Sequence, residues 1–186
     1  MKLYTSLDEL PADPAATAVT IGKFDGMHLG HRTMIDLVRE QAAARGLSST
    51  VLTFDRHPFA LLRPEVCPLP LVSNEQKLEL LAEAGVDNTV MLEFTREFSE
   101  LSPVDFVRTV LVDALNTKLV VVGPDYRFGR GAAGSITDLE QLGDQFGFDL
   151  VVMDAVTAGT RERVSSSRVR ALLDAGDVRE AATLLG

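Results

Sequence analysis

Five short, nearly continuous apolar runs rich in β-branched residues divide the chain: TAVTIG (17–22), STVLTF (49–54), NTVMLEF (88–94), KLVVVG (118–123) and FDLVVMD (148–154). A strand covered on one face alternates apolar and polar residues. Runs without that alternation mark strands buried on both faces of a parallel sheet. Segments with helical spacing lie between them. Ile35, Val38 and Ala42 stripe the first, Leu78, Leu81 and Ala82 the second, Phe106, Val110 and Ala114 the third, and Ile136, Leu139 and Leu142 the fourth. Gly46 follows the first stripe, Ser73 with Gln76 has the spacing of a capping box, and Ser102-Pro103 opens the third. The alternation predicts an α/β fold: a five-stranded, mainly parallel sheet flanked by helices, joined by right-handed crossovers. At 186 residues the chain reads as one domain with room for a real core. Residues 55–72, with Pro58, Pro64, Pro68 and Pro70, lack periodicity and read as a long loop. The end, SSSRVRALLDAGDVREAATLLG, reads as helix, turn at Ala175-Gly176-Asp177, and helix.

In open α/β sheets, ligands bind beyond the carboxyl ends of the strands, where the strand order reverses. Two glycine-rich loops stand at such ends: KFDGMHLGH after the first strand and GPDYRFGRGAAG after the fourth. A strand order of 3-2-1-4-5, taken by analogy with other doubly wound sheets, makes the two loops flank one crevice.

Charge narrows the ligand. Eighteen basic against 27 acidic residues give a net −9, which repels a nucleic-acid backbone. One segment departs from this balance: RERVSSSRVR (161–170) carries Arg161, Arg163, Arg168 and Arg170 against the single acid Glu162. Such an island suits a small anion, with a solvated arginine face as the plain alternative. The lone Cys67 excludes an intrachain disulfide, no run reaches membrane-spanning length, and MKLYTSLDEL has no signal-peptide core. These features read as a cytoplasmic protein with neither nucleic-acid nor membrane partner.

The stretch TIGKFDGMHLGH (20–31) places His28 and His31 one helical turn apart among Gly22, Gly26 and Gly30. Glycines between a buried strand and a helix let backbone approach a ligand and expose amides at the helix N-terminus. Imidazole donors there add to a site the helix dipole already biases toward anions. A zinc site needs more ligands than Asp25 and the distant His57 supply, and no serine or cysteine nucleophile stands in the motif. Anion binding, phosphate above all, fits best.

A strand followed by His28-Leu29-Gly30-His31 resembles the HxGH nucleotidyltransferase superfamily, and the longer GKFDGMHLGH resembles the nucleotide-binding motif of bacterial FAD synthetases. TFDRHP (53–58) is similar to that family's TFDPHP, with Arg56 in place of proline. GPDYRFG (123–129) is similar to its GxDFRFG, and VSSSRVR (164–170) to its ISSTxIR. In that family an FMN adenylyltransferase module usually precedes a riboflavin kinase module, and this chain stops where the first module usually ends. The expectation is therefore a single FMN adenylyltransferase domain over 1–186, of Rossmann-like nucleotidyltransferase fold, with no kinase domain.

The resemblance implies transfer of AMP from ATP to FMN, giving FAD and pyrophosphate. His28 and His31 are the implied catalytic pair. ATP binding falls to Gly22, Phe24, Asp25, Gly26, His28, His31, Ser165, Ser166, Ser167 and Arg170, with Arg163 as a further phosphate contact. FMN binding falls to His57, Pro58, Asp125, Tyr126 and Phe128. Mg²⁺ would be carried mainly by the ATP phosphates, so no protein metal ligand is named. Each residue has a plainer reading: serines before a helix also cap it, Asp-Tyr after Gly-Pro also makes a turn, and loop aromatics also plug a core. Two other functions stand beside the leading one. One is an HxGH nucleotidyltransferase with another phosphate acceptor; the other is a flavin- or nucleotide-binding module without turnover.

Overall fold

The computed structural model describes residues 1–158 and 162–186, so Arg161 of the basic island lies outside the described residues. One sheet organises the molecule. Its strands are β1 (Lys2–Tyr4), β2 (Thr17–Ile21), β3 (Ser48–Phe54), β4 (Asn88–Leu92), β5 (Thr117–Val122) and β6 (Asp149–Val152), in the order β1-β4-β3-β2-β5-β6. Among the five runs recognised from the sequence, that order is the expected 3-2-1-4-5. The sheet has six strands rather than five, however, and all its ladders are parallel rather than mainly so. The extra strand, β1, is three residues long and its first two positions, Lys2 and Leu3, are exposed, so it carries no apolar pattern. Its pairing with β4, Lys2 opposite Asn88 through Tyr4 opposite Val90, is what defines it. A separate antiparallel pair, β7 (Thr157–Ala158) and β8 (Glu162–Arg163), precedes the C-terminal helices.

Helices cover both faces. On one lie α1 (Leu29–Arg45) and, beyond the short α2 (Pro58–Leu62), α3 (Asn74–Glu83). Here Ile35, Val38 and Ala42 pack on Ala18, Val51, Leu119 and Val121. The other face follows α4 (Arg96–Ser99). There α5 (Pro103–Phe106) runs on as a π-helix over Val107–Ala114, followed by α6 (Ile136–Phe146). Phe106, Val110, Leu111, Leu139 and Leu142 pack on Val19, Leu52, Val90 and Val120. Successive strand residues alternate between these two layers, as the period of two requires. Truncating a fully buried member such as Leu52 to alanine costs about 2–5 kcal/mol.

The local signals hold. Gly46 ends α1 at φ 65°, and Ser73 and Gln76 exchange both capping-box bonds at 2.9 and 3.2 Å. Two expectations need correction. In α3 the stripe does not continue to Ala82, which is exposed; Lys77 is buried instead. Its ammonium donates to the Phe54 carbonyl at 2.9 Å, closing the end of β3. Residues 55–72 are also more ordered than a loop, holding α2 and a 3₁₀ turn over Pro64–Val66. Pro58 and Pro64 sit at first helical positions, where a fixed φ and a missing N–H cost nothing. The chain closes with α7 (Ser166–Asp174) and α8 (Val178–Leu185) across a turn at Gly176, φ 77°.

Candidate active site

Between β2 and α1 the backbone turns through three left-handed residues, Phe24 (φ 47°), Gly26 (φ 84°) and Met27 (φ 41°). Two of these are not glycine, a strained choice that persists only when the surroundings impose it. They are imposed here by burial: the Phe24 and Met27 side chains are fully buried beside Ile35, Val51, Leu81 and Val86. Phe24 is thus a core plug beneath the loop rather than a wall of the cavity above it. At Gly26 a Cβ would stand 2.7 Å from a Leu71 methyl, so glycine serves both conformation and space.

Asp25 ties the loop to two distant segments. One carboxylate oxygen accepts from the Leu71 and Val72 amides at 2.8 and 3.3 Å; the other takes the Arg170 guanidinium. Its carbonyl accepts the Ser166 hydroxyl at 2.8 Å, and Arg170 also donates to the Leu69 carbonyl at 2.7 Å.

His28 is the N-cap of α1, with its Nδ1 accepting from the His31 amide at 3.3 Å. That bond leaves the proton on Nε2, the nitrogen away from the helix end. The two imidazoles stack at 3.7 Å and 15°, and Phe24 supports His31 from 5.0 Å. His31 Nδ1 is buried and has no hydrogen-bond partner among the described residues. Burial pushes the His28 pKa down to about 4. Burial, then the neighbouring His28, Lys23 and Lys77, takes His31 well below its ordinary value. Near neutral pH both rings are uncharged.

The facing wall is the start of α7. Ser165 caps it, accepting from the Arg168 amide at 3.2 Å, and Ser166 and Ser167 follow. A cavity of about 660 Å³ lies between His28, His31, Ser165, Ser166, Ser167 and Arg170, with His57 also on its wall. His57 caps α2, its Nδ1 accepting from the Phe59 amide at 3.1 Å, and burial pushes its pKa down to about 4. Arg163 lines this cavity too and forms an ion pair with Asp125.

A second cavity, about 640 Å³, adjoins the first. Its wall is a relay of rings. Phe54 meets Phe98 at 5.4 Å, Phe98 meets Phe106 at 6.0 Å, Phe106 meets Phe128 at 5.8 Å, and Tyr126 stacks on Phe128 at 5.7 Å and 12°. Gly134 makes room for Phe128, whose ring a Cβ would meet at 2.7 Å. Burial raises the Tyr126 hydroxyl pKa far above its ordinary value.

Of the residues expected at the acceptor, Pro58, Asp125, Tyr126 and Phe128 line this aromatic cavity, whereas His57 lines only the polar one. Arg56 lines neither: its guanidinium is held by Asp55 and by Glu93 at 3.3 Å. Sequence reading missed Lys23, Phe54, Phe94, Phe98 and Phe106. Lys23 and Phe54 stood inside recognised motifs, GKFDGMHLGH and TFDRHP, but were given no role there. Among the described residues, no three of His, Cys, Asp and Glu converge as a metal-ion site.

A doubly wound parallel sheet whose switch point holds a histidine-capped and a serine-capped helix belongs to the open α/β class, which binds ligands beyond the carboxyl ends of its strands. Comparison with known proteins specifies the family: a model described as FAD synthetase matches residues 10–168, and the chain belongs to the FAD synthetase family. It is 35% identical over 187 residues to the bifunctional riboflavin kinase/FMN adenylyltransferase of Escherichia coli (strain K12), covering all of this chain and 59% of that one. The Listeria monocytogenes protein of the same description is 41% identical over 172 residues, covering 90% of this chain and 53% of its own. A crystal structure described as a macrolide-efflux protein from Streptococcus pneumoniae superposes with a TM-score of 0.85 at 27% identity, covering 99% of this chain and 59% of that one. Among the described residues no helix is long and apolar enough to cross a membrane. The chain thus spans somewhat over half the length of these relatives.

Proposed function

We propose that the chain, as a single FMN adenylyltransferase domain over residues 1–186, transfers AMP from Mg·ATP to FMN and yields FAD and pyrophosphate. The observation that carries this is the junction of two unlike cavities at the switch point, one polar and lined by histidines and serines, the other walled by aromatic rings. The first suits a triphosphate and the second a flat, apolar tricycle such as isoalloxazine. Phosphopantetheine, a flexible acyclic acceptor, gives the ring relay nothing to stack on.

An FMN phosphate oxygen attacks the ATP α-phosphorus in line as the bond to the bridging oxygen breaks, and pyrophosphate leaves with that electron pair. The nucleophile is already an anion, so no general base is needed. The protein's task is positioning and charge stabilisation. His28 and His31 act as neutral N–H donors to the phosphates, aided by the α1 N-terminus. Ser165, Ser166 and Ser167 offer hydroxyls and amides to the β- and γ-phosphates. Arg170, held by Asp25, supplies charge to the same region, and Arg163 contacts phosphate after leaving Asp125. Gly22, Phe24, Asp25 and Gly26 hold the loop that carries the histidines. Pro58, Asp125, Tyr126 and Phe128 receive the flavin, and His57 faces the phosphates from the α2 cap. Mg²⁺, arriving on ATP, offsets triphosphate charge. A cytoplasmic setting, where ATP is plentiful, suits this chemistry.

The test is direct. Protein incubated with FMN, Mg·ATP and pyrophosphatase should accumulate FAD, read by chromatography. Folded protein that forms no FAD, yet releases pyrophosphate with another phosphate acceptor, would overturn the choice of FMN.

A further inference from the structure

Lys23 stands within GKFDGMHLGH with no role assigned to it from the sequence, yet the polar and aromatic cavities share it. Their only other common residues are Pro58 and Phe59, so among the described residues Lys23 is the one charged side chain facing both. Its backbone is fixed at the end of β2, where its carbonyl accepts the Thr53 hydroxyl at 3.3 Å. The residue is exposed and lines both cavities.

The neighbouring cations are engaged elsewhere. Arg170 is held by Asp25 and the Leu69 carbonyl, and Arg163 by Asp125. Arg63 pairs with Glu65 at 3.8 Å. Arg127 lines only the aromatic cavity and donates to the Ala132 carbonyl at 3.2 Å. Lys23 forms no ion pair with a carboxylate among the described residues.

Adenylyl transfer to a phosphate brings two anions into contact, and their repulsion is part of the barrier. A cation between them, not consumed by another pair, lowers that barrier without moving a proton. We infer that Lys23 is a further catalytic residue, its ammonium contacting the acceptor's phosphate and the ATP α-phosphate together; the inference rests on the adenylyltransferase reading above. Desolvation and then Arg170 lower the Lys23 pKa, with Asp25 opposing them.

The test uses the full chain with Lys23→Met and Lys23→Arg. Lys23→Met should lower kcat/KM for FMN about 100-fold, the scale of losing one charge-stabilising donor. Binding of a non-hydrolysable ATP analogue should change far less, and Lys23→Arg should recover much of the loss. Flavin fluorescence supplies a second readout. Wild type should bind FMN more tightly than riboflavin, which lacks the phosphate, and Lys23→Met should abolish that preference. Unchanged kcat/KM with the preference intact would overturn the inference. So would a parallel loss for both flavins, which makes Lys23 part of the ring site, or a loss confined to the ATP analogue. Wild type that binds flavin but forms no FAD would reject the adenylyltransferase reading itself, and this role with it.

Discussion

A methyl group added at Gly30 would stand 3.2 Å from both Cε1 and Nδ1 of His28 and 3.7 Å from the Val164 carbonyl. Gly30 lies within α1, where alanine gains about 0.5–1 kcal/mol of helix stability over glycine. Gly30→Ala should therefore keep or raise the urea midpoint while the displaced imidazole lowers FAD turnover by roughly 100-fold. Asp25 behaves in the opposite way. Its side chain and that of Arg170 are only 13% and 18% exposed, so removing one partner strands a charge. Asp25→Ala should cost about 3–5 kcal/mol in urea denaturation, with Arg170→Met costing less than additively in the double variant.

At the scale of elements, α3 separates stability from chemistry. Its capping box lies apart from both main cavities, so Ser73→Ala should cost about 1 kcal/mol in thermal or urea unfolding while leaving kcat for FAD formation unchanged. The same element shows what a sequence can display. Its start was legible because the Ser73–Gln76 signal is local. Lys77 was not, because only the tip of β3 supplies the carbonyl that makes burying an ammonium tolerable. Five strands declared themselves as apolar runs, of which β6, at the sheet edge, leaves Asp149 and Val152 exposed instead of burying both faces, whereas β1 depends on β4 for its definition. Likewise His28, His31 and the serines of α7 were visible because each group is contiguous. The ring relay was not, since Phe54, Phe98, Phe106 and Phe128 come from separate strands, helices and loops.

For the molecule as a whole, acid should act through one place. All three histidines line the polar cavity, and burial holds His28 and His57 at about 4 and His31 well below its ordinary value. The unfolded chain titrates its histidines near 6.5, so between about 6.5 and 4 it binds more protons than the folded one. Depressed folded values thus contribute stability that is present above about pH 6.5 and lost as pH falls toward 4. The melting temperature of the ligand-free protein should decline across that window. His28→Asn keeps a capping acceptor but removes one titrating group, and its decline should be shallower.

The contacts of Asp25 also bear on how the molecule comes into being. Its bonds to Ser166 and Arg170 span 141 and 145 residues of chain, whereas β2 and β3 pair across an interval of about thirty. Nearby pairings lose less chain entropy on closure, so the sheet can organise before the loop is locked. On the ribosome, a chain with its central strands already exposed still lacks the helix that secures the loop between β2 and α1. The loop is therefore locked only once the segment carrying Ser166 and Arg170 has been made, well after the central strands can pair.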